Sequence, residues 1–216
     1  MSKKKLLFDF NNDFEFNLLN IENFNTSSRI HNIVNFIKKN KNIEGDYFEF
    51  GVFQGFSLLS IAILFKKLNI NKTIYGFDTF SGFPSYHNND NINNFKKLYL
   101  EKKISKNHYE KFLLFLKIKK FINKNNKFKA HPKNISSSLN FSNNSFNNLK
   151  IKIKKLGLDN IRLIKGDFTT TLGNFFEKNK DIKIFASNID CDLYRSYKKI
   201  LPIIWKKLSK NGLIML

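Results

Sequence analysis

The sequence is almost free of cysteine and lacks long uncharged apolar runs. Cys191 is the single cysteine in 216 residues. An intrachain disulfide therefore cannot form, and we expect a reducing, cytoplasmic setting. No run of about 18 uncharged apolar residues occurs, so we expect no membrane span. The start of the chain is basic, but Asp9 interrupts its apolar residues too early for a signal peptide.

Arginine is also scarce, although the formal net charge is +21. The basic residues are almost all lysine, with arginine only at Arg29, Arg162 and Arg195. A basic domain suggests nucleic acid or another anionic partner, but base readout and bidentate phosphate contacts favour arginine. Lysine accompanies asparagine, isoleucine and phenylalanine here, and all four have A/T-rich codons. We therefore expect a solvated lysine surface and no nucleic-acid partner.

What remains is the composition of one globular domain. Hydrophobic residues make up 42% of the chain, and 216 residues are enough for one packed core. Strand-like and helical segments alternate, which predicts right-handed βαβ units. The fold class is thus α/β, with a doubly wound, mostly parallel sheet and helices on both faces. Predicted strands lie at 47–52, 72–78, 160–168, 181–190 and from 213, and predicted helices at about 28–39, 56–68, 112–122, 146–157, 169–178 and 194–209.

Two regions depart from this alternation. Residues 1–26 are polar and weakly patterned, and together with the first predicted helix they form an N-terminal helical segment, 1–44. The α/β domain proper spans 45–216. It contains a lysine- and asparagine-rich insertion at about 85–150, in which 131–148 is predicted as a loop. Such a segment is either a tolerated loop or a lid over a site.

Acidic residues end three of the four complete predicted strands, at Asp78, Asp167 and Asp190. Aspartate alone is a common turn or cap residue. In a doubly wound sheet, however, the carboxyl ends of the strands meet at one edge, where ligands bind. We therefore expect the functional site at this edge.

The first strand ends in a glycine turn, Gly51-Val-Phe-Gln-Gly55. A nicotinamide dinucleotide would need glycine at positions 53 and 56, and both are phenylalanine, which blocks the approach of a pyrophosphate. No GK[ST] follows, so a P-loop is absent as well. S-adenosylmethionine is a ligand without phosphates. Asp78 is placed for its ribose diol, Asp167 for its adenine amino group, and helix N-terminal amides for its carboxylate.

Four blocks of this sequence resemble one family. They are "GDYFEFGVFQGFSLLSIA", "IYGFDTFSGFP", "IRLIKGDFTTTL" and "NIDCDLYRSYKKILPIIWKKLSKNGLIML". Together they cover roughly 45–84 and 160–216, and they are similar to blocks of the macrocin O-methyltransferase (TylF/MycF-type) family of class I S-adenosylmethionine-dependent methyltransferases. The resemblance implies a Rossmann-like methyltransferase domain acting on sugar hydroxyls. It places the cofactor at Glu49, Gly51, Gly55 and Ser57, besides Asp78 and Asp167.

The same resemblance implies magnesium, which would lower the pKa of the acceptor hydroxyl. Asp190 is the implied metal ligand. Asp192 is a second candidate, although it is equally suited to cap the helix that follows. The family's further acidic pair after the fifth strand is not in this sequence, so we expect a chain truncated at its C-terminus after that strand.

Two histidines are candidate general bases, since histidine suits the role by its pKa. His87 follows the "GFPS" turn, and His131 lies in the inserted segment.

The sequence therefore predicts a cytoplasmic, magnesium-assisted O-methyltransferase that uses S-adenosylmethionine on a sugar or other small-molecule hydroxyl. A homo-oligomer is compatible with it, and no membrane partner is expected. The alternatives are an RNA methyltransferase and a non-catalytic binding module on the same scaffold.

Overall fold

The computed structural model describes residues 6–125 and 141–216. Its sheet has five strands in the order β3-β2-β1-β4-β5, and all neighbouring pairs are parallel. This confirms the predicted α/β class. The chain leaves β1 towards β2 and β3, then returns to the other side of β1 for β4, so the strand order reverses between β1 and β4. The strands are β1 (Asp46–Phe50), β2 (Ile74–Asp78), β3 (Ile161–Lys165), β4 (Ile184–Ile189) and β5 (Leu208–Met215).

Helices occupy most of the sequence between the strands. They are α1 (Asp13–Leu18), α2 (His31–Asn40), α3 (Phe56–Lys67), α4 (Ile92–Leu100), α5 (Lys106–Asn125), α6 (Phe146–Lys155), α7 (Phe168–Lys178) and α8 (Tyr194–Lys207), with a 3₁₀ turn at Asn88–Asp90. In the part of the chain described, no helix combines the length and apolar character needed to span a membrane.

The central strand β1 divides the core into two clusters. Successive strand side chains point to opposite faces. Tyr47 accordingly packs in a cluster with apolar residues of α2 and α3, whereas Phe48 and Phe50 pack in one with apolar residues of α7 and α8. All three side chains are fully buried. Both faces of the sheet are thus covered, as a parallel sheet requires.

The N-terminal residues are better ordered than their weak pattern predicts. Phe10, Phe16 and Phe24 are buried in the same cluster as Tyr47. Their rings meet edge to face, with centroids 5.2 Å apart both between Phe10 and Phe16 and between Phe16 and Phe24. The apolar residues of this segment follow neither a helical nor a strand period. The sequence pattern therefore did not predict that they pack into the core.

Several element boundaries differ from the prediction. The last strand starts at Leu208, directly after α8, rather than at 213. Asn211, predicted to end the helix, lies inside β5 with φ 64°, where the pairing with β4 shifts register. α8, by contrast, begins at Tyr194 as predicted and contains Pro202. Within the insertion, α4 was not predicted and α5 is longer than predicted. Of the predicted loop 131–148, residues up to 140 lie outside the described part, and α6 begins at Phe146, capped by Ser145.

Candidate functional site

A cavity of about 530 Å³ opens at the carboxyl ends of the strands. It lies where the strand order reverses, the position at which doubly wound sheets bind ligands. Six of the residues predicted for a site line it: Gly51, Ser57, Asp78, Asp167, Asp190 and Asp192. The structure thus brings together residues that are spread over most of the chain.

The cavity is acidic, in contrast to the protein as a whole. One of its lining residues is basic, Arg29, whereas five are acidic: Glu22, Asp78, Asp167, Asp190 and Asp192. The whole sequence has 38 basic and 17 acidic residues. The local potential therefore favours a cationic ligand and opposes phosphates.

The glycine turn is tied to the neighbouring strand by Asp78. One carboxylate oxygen of Asp78 accepts a hydrogen bond from the backbone N–H of Phe53 (2.8 Å), and the other accepts one from the N–H of Phe80 (2.6 Å). Phe53 and Phe80 both have positive φ, 50° and 53°. Asp78 thus holds two strained turns in place. Each oxygen keeps one further acceptor position, which leaves it able to bind a diol as well.

Glu49 does not line the cavity, because its side chain is buried in the protein interior. Its side chain is fully buried and accepts hydrogen bonds from Ser57 Oγ (2.9 Å) and Tyr47 Oη (3.0 Å). Burial raises the pKa of Glu49 to about 7, although these two hydroxyls lower it. Ser57 does reach the cavity wall. Glu49 therefore supports the first turn of α3, on which Ser57 lies.

Two other predicted cofactor residues have visible local roles. Gly55 caps α3 with φ 85°, and a Cβ there would meet Leu149 of α6 at 2.7 Å. Asp167 caps α7, accepting a hydrogen bond from the N–H of Thr169 (2.8 Å), and its carboxylate also faces the cavity. The glycine thus allows helix packing, while the aspartate combines capping with a place in the cavity wall.

The two candidate metal ligands follow β4 and differ in their partners. Asp190 Oδ2 accepts a hydrogen bond from Arg29 Nη1 at 2.9 Å. Asp192 has φ 56° and is exposed, but partial desolvation beside the cavity and the charge of Asp190 raise its pKa to about 6. Within 6–125 and 141–216, no group of three or more His, Cys, Asp or Glu side chains is arranged to hold a metal. Mg²⁺ in proteins is usually held by one or two carboxylates, with waters completing its octahedron. Because Arg29 already engages Asp190, the described residues do not fit this ion.

Of the two candidate bases, His87 is not among the residues that line the cavity. His87 Nδ1 accepts a hydrogen bond from the N–H of Asn89 (3.1 Å), and its ring lies 5.0 Å from that of Tyr194. The neutral ring therefore carries its proton on Nε2, which leaves no ring nitrogen free to accept another. His131 lies outside the described residues.

Sequence reasoning missed the buried Asp90. This side chain is 1% exposed, and it accepts hydrogen bonds from the N–H groups of His87 (2.9 Å) and Tyr194 (2.7 Å). It thereby joins the insertion to the start of α8. Its position in an asparagine-rich stretch carried no signal of this role.

One wall of the cavity is aromatic and was also missed. The ring of Phe141 lies 5.1 Å from that of Phe53 and 5.4 Å from that of Phe83. Gln54 Nε2 donates to the carbonyl of Asn143 (2.8 Å), so the end of the insertion is tied to the glycine turn. Phenylalanine is abundant throughout the chain, and abundance alone could not single out these three.

The N-terminal segment supplies another wall through four lining residues: Asn20, Ile21, Glu22 and Arg29. Three of them lie within 1–26, the region without a recognisable pattern. A Glu–Arg pair seven positions apart is an ordinary surface feature, so no sequence signal could have located them at the site.

Comparison with known proteins agrees with this architecture. Residues 48–216 match the family described as "Methyltransferase domain". The fold is similar to that of CalS11, a calicheamicin methyltransferase (TM-score 0.59, 19% identity, covering 87% of this chain and 62% of that one). It is also similar to the O-methyltransferase NovP (TM-score 0.55, 19% identity, 86% and 63%).

The chain thus spans less than two thirds of the length of either protein, and at this identity the likeness concerns the fold. No curated protein matches the sequence. The family match covers most of the chain, and the cavity lies at the expected edge of the sheet. The chain belongs to the methyltransferase domain family.

Proposed function

We propose that this chain is an S-adenosylmethionine-dependent O-methyltransferase acting on a hydroxyl of a sugar or another small molecule. The observation that carries the proposal is the acidic cavity at the carboxyl ends of the strands. S-adenosylmethionine bears a sulfonium, an ammonium and one carboxylate, a net charge of +1. Five acidic residues and one basic residue line the cavity, which complements that charge.

The family and the relatives support the nature of the reaction. The chain belongs to a methyltransferase family, and NovP is named an O-methyltransferase. The blocks around Gly51, Asp78, Asp167 and Asp190 resemble those of the macrocin O-methyltransferase family, which supports a sugar-like acceptor. Aromatic side chains of the cavity wall, such as Phe53 and Phe83, suit contact with a small organic molecule.

The chemistry is one substitution at carbon. The acceptor oxygen attacks the methyl carbon, and the carbon–sulfur bond breaks with its electron pair going to sulfur. The products are a methyl ether and neutral-sulfur S-adenosylhomocysteine. The hydroxyl proton must leave to a base. Asp192 faces the cavity, and its carboxylate has no hydrogen bond from any residue in the described ranges, so we assign it to accept this proton.

The proposed mechanism uses no magnesium. Asp190 is the ligand that the family resemblance implies, but the Arg29 guanidinium bonds to it. Asp192 alone does not make up a magnesium site. The proposed proton transfer therefore depends on this chain's own carboxylate.

RNA methylation is the second candidate, and the negative charge of the cavity wall disfavours it. With the proposed cofactor lying over Asp78 and Asp167, a phosphate backbone entering the cavity would still meet Asp190 and Asp192. Such like-charge contacts cost affinity. The lysine surface does not change this, because catalysis requires the acceptor inside the cavity.

Titration calorimetry and a turnover assay test the proposal. We expect S-adenosylmethionine and S-adenosylhomocysteine to bind with one-to-one stoichiometry and NAD not to bind. A panel of neutral glycosides, with release of S-adenosylhomocysteine as the readout, then tests the reaction. Cofactor binding without turnover on any hydroxyl compound would favour the non-catalytic module. Absence of cofactor binding would refute the proposal altogether.

A further inference from the structure

Among the described residues, one basic side chain lines the cavity, and the proposed cofactor has one anionic group. Arg29 lies just before α2 and lines the cavity beside Glu22 and Asp190. No lysine of the described ranges, 6–125 and 141–216, lines it. The other charged residues of the wall are acidic and would repel the carboxylate of a ligand. That carboxylate is therefore expected to lie against Arg29.

The guanidinium of Arg29 is held from two sides. Glu22 takes one edge, with Nε 3.1 Å from each carboxylate oxygen and Nη2 2.6 Å from Oε2. Asp190 takes Nη1 at 2.9 Å. Ser27 also donates to Glu22, and the bonds from Arg29 and Ser27 lower the pKa of Glu22 although burial raises it. The arginine is therefore fixed in orientation before any ligand binds.

This arrangement leaves two donors free. An arginine has five N–H groups. The contacts to Glu22 and Asp190 use three of them, so one N–H on each terminal nitrogen has no acceptor in the described ranges. The Arg29 side chain is 51% exposed and lines the cavity, so a ligand bound there can reach it.

The order of the strands places Arg29 at the β4 end of the cavity, opposite the end predicted for adenosine. Asp167 follows β3 and Asp78 ends β2, where the sequence predicts adenine and ribose. The glycine turn follows β1, and Asp190, with Arg29 on it, follows β4. A cofactor with adenosine over β3 and β2 extends its amino-acid end across β1 towards Arg29.

We propose that Arg29 binds the carboxylate of the methionine moiety of S-adenosylmethionine, with Glu22 and Asp190 orienting it. This inference rests on the proposed function. It replaces the sequence-based expectation that helix N-terminal amides receive this carboxylate. A planar guanidinium with two free N–H groups suits a carboxylate better than single amides do.

The test compares two ligands that differ only in this group: S-adenosylmethionine and decarboxylated S-adenosylmethionine. Calorimetry with the wild-type chain should show that decarboxylation weakens binding about tenfold or more, as expected for a lost charge-assisted contact. Arg29→Met should lose this discrimination and bind the decarboxylated ligand at least as tightly as S-adenosylmethionine, because the remaining acidic wall repels a carboxylate. Arg29→Lys, which keeps the charge but not the fork, should retain part of the discrimination. Arg162→Met, an exposed arginine on β3, serves as the matched control and should discriminate as the wild type does.

Binding of the decarboxylated ligand also reports whether the cavity of Arg29→Met is folded, and Arg29→Lys serves if it is not. The inference fails alone if the wild type binds both ligands equally, or if Arg29→Met or Arg29→Lys discriminates as strongly as the wild type. If the wild type binds neither ligand, the proposed function fails and the inference fails with it.

Discussion

Gly51 packs directly against the carbonyl of Asp190, so the turn after β1 and the chain after β4 touch without space for a side chain. A Cβ on Gly51 would lie 1.9 Å from that oxygen, and the glycine has φ +88°. Gly51→Ala should therefore lower the free energy of unfolding by about 3 kcal/mol or more, through the clash and the backbone strain. Urea denaturation followed by circular dichroism measures this loss.

Gly173→Ala is the matched control for the preceding change. Apart from the backbone of α7 itself, no atom of the described residues lies within 4 Å of a Cβ built at Gly173, which is in the middle of α7. Alanine should stabilise this helix by roughly 0.5–1 kcal/mol. A similar loss of stability in both variants would contradict the packing seen at Gly51.

Glu49 should make stability depend on pH. Its pKa is raised to about 7 in the folded protein, against 4.5 as its ordinary value. Between these values the folded chain holds a proton that the unfolded chain releases, so the free energy of unfolding falls as pH rises from about 4.5 to 7. Glu49→Gln removes this contribution, and its stability should fall less over that interval.

Denaturation in urea at half-unit steps from pH 4.5 to 8 measures the difference between Glu49→Gln and the wild type. Glu44→Gln, a change at an exposed glutamate, should follow the wild-type curve. Parallel curves for Glu49→Gln and the wild type would show that folding does not raise the pKa of Glu49.

Asp78 should matter for both stability and cofactor binding. Asp78→Ala removes the acceptors of the Phe53 and Phe80 amides, which should cost about 2–4 kcal/mol of unfolding free energy. Asp78→Asn keeps one acceptor oxygen and should lose less. Calorimetry with S-adenosylmethionine should show weaker binding for both variants. Unchanged binding by a folded Asp78→Ala would remove this residue from the cofactor site.

Asp192 should affect turnover rather than cofactor binding. Asp192→Asn removes the proposed proton acceptor but keeps the size of the side chain, so kcat should fall about 100-fold, the lower range for general-base catalysis. The Kd for S-adenosylmethionine should change little. Asp181→Asn, at an exposed aspartate ahead of β4, should leave kcat unchanged. A normal kcat for Asp192→Asn would assign proton removal to another group.

Much of the fold could be predicted because its signals are local. The alternation of apolar strands and amphipathic helices predicted the parallel sheet, which the strand order confirms. Acidic residues at strand ends predicted the site edge, and Asp78, Asp167 and Asp190 do line one cavity there. Their individual roles towards a cofactor stay predictions. The start of β5 was less predictable, because its pairing with β4 sets it. The helices of the insertion were also less predictable, because they depend on contacts with the rest of the chain.

By itself the sequence determined the fold class and the edge of the sheet that holds the cavity, because periodicity and strand-end residues act over a few positions. Only the tertiary structure decided which distant residues complete that cavity. Arg29 and Glu22 reach it because buried phenylalanines of the N-terminal segment pack into the core beside β1. Glu49 is withdrawn beneath it because Tyr47 and Ser57 satisfy both carboxylate oxygens. Such contacts join residues far apart along the chain or depend on how an element packs, so no local pattern specifies them.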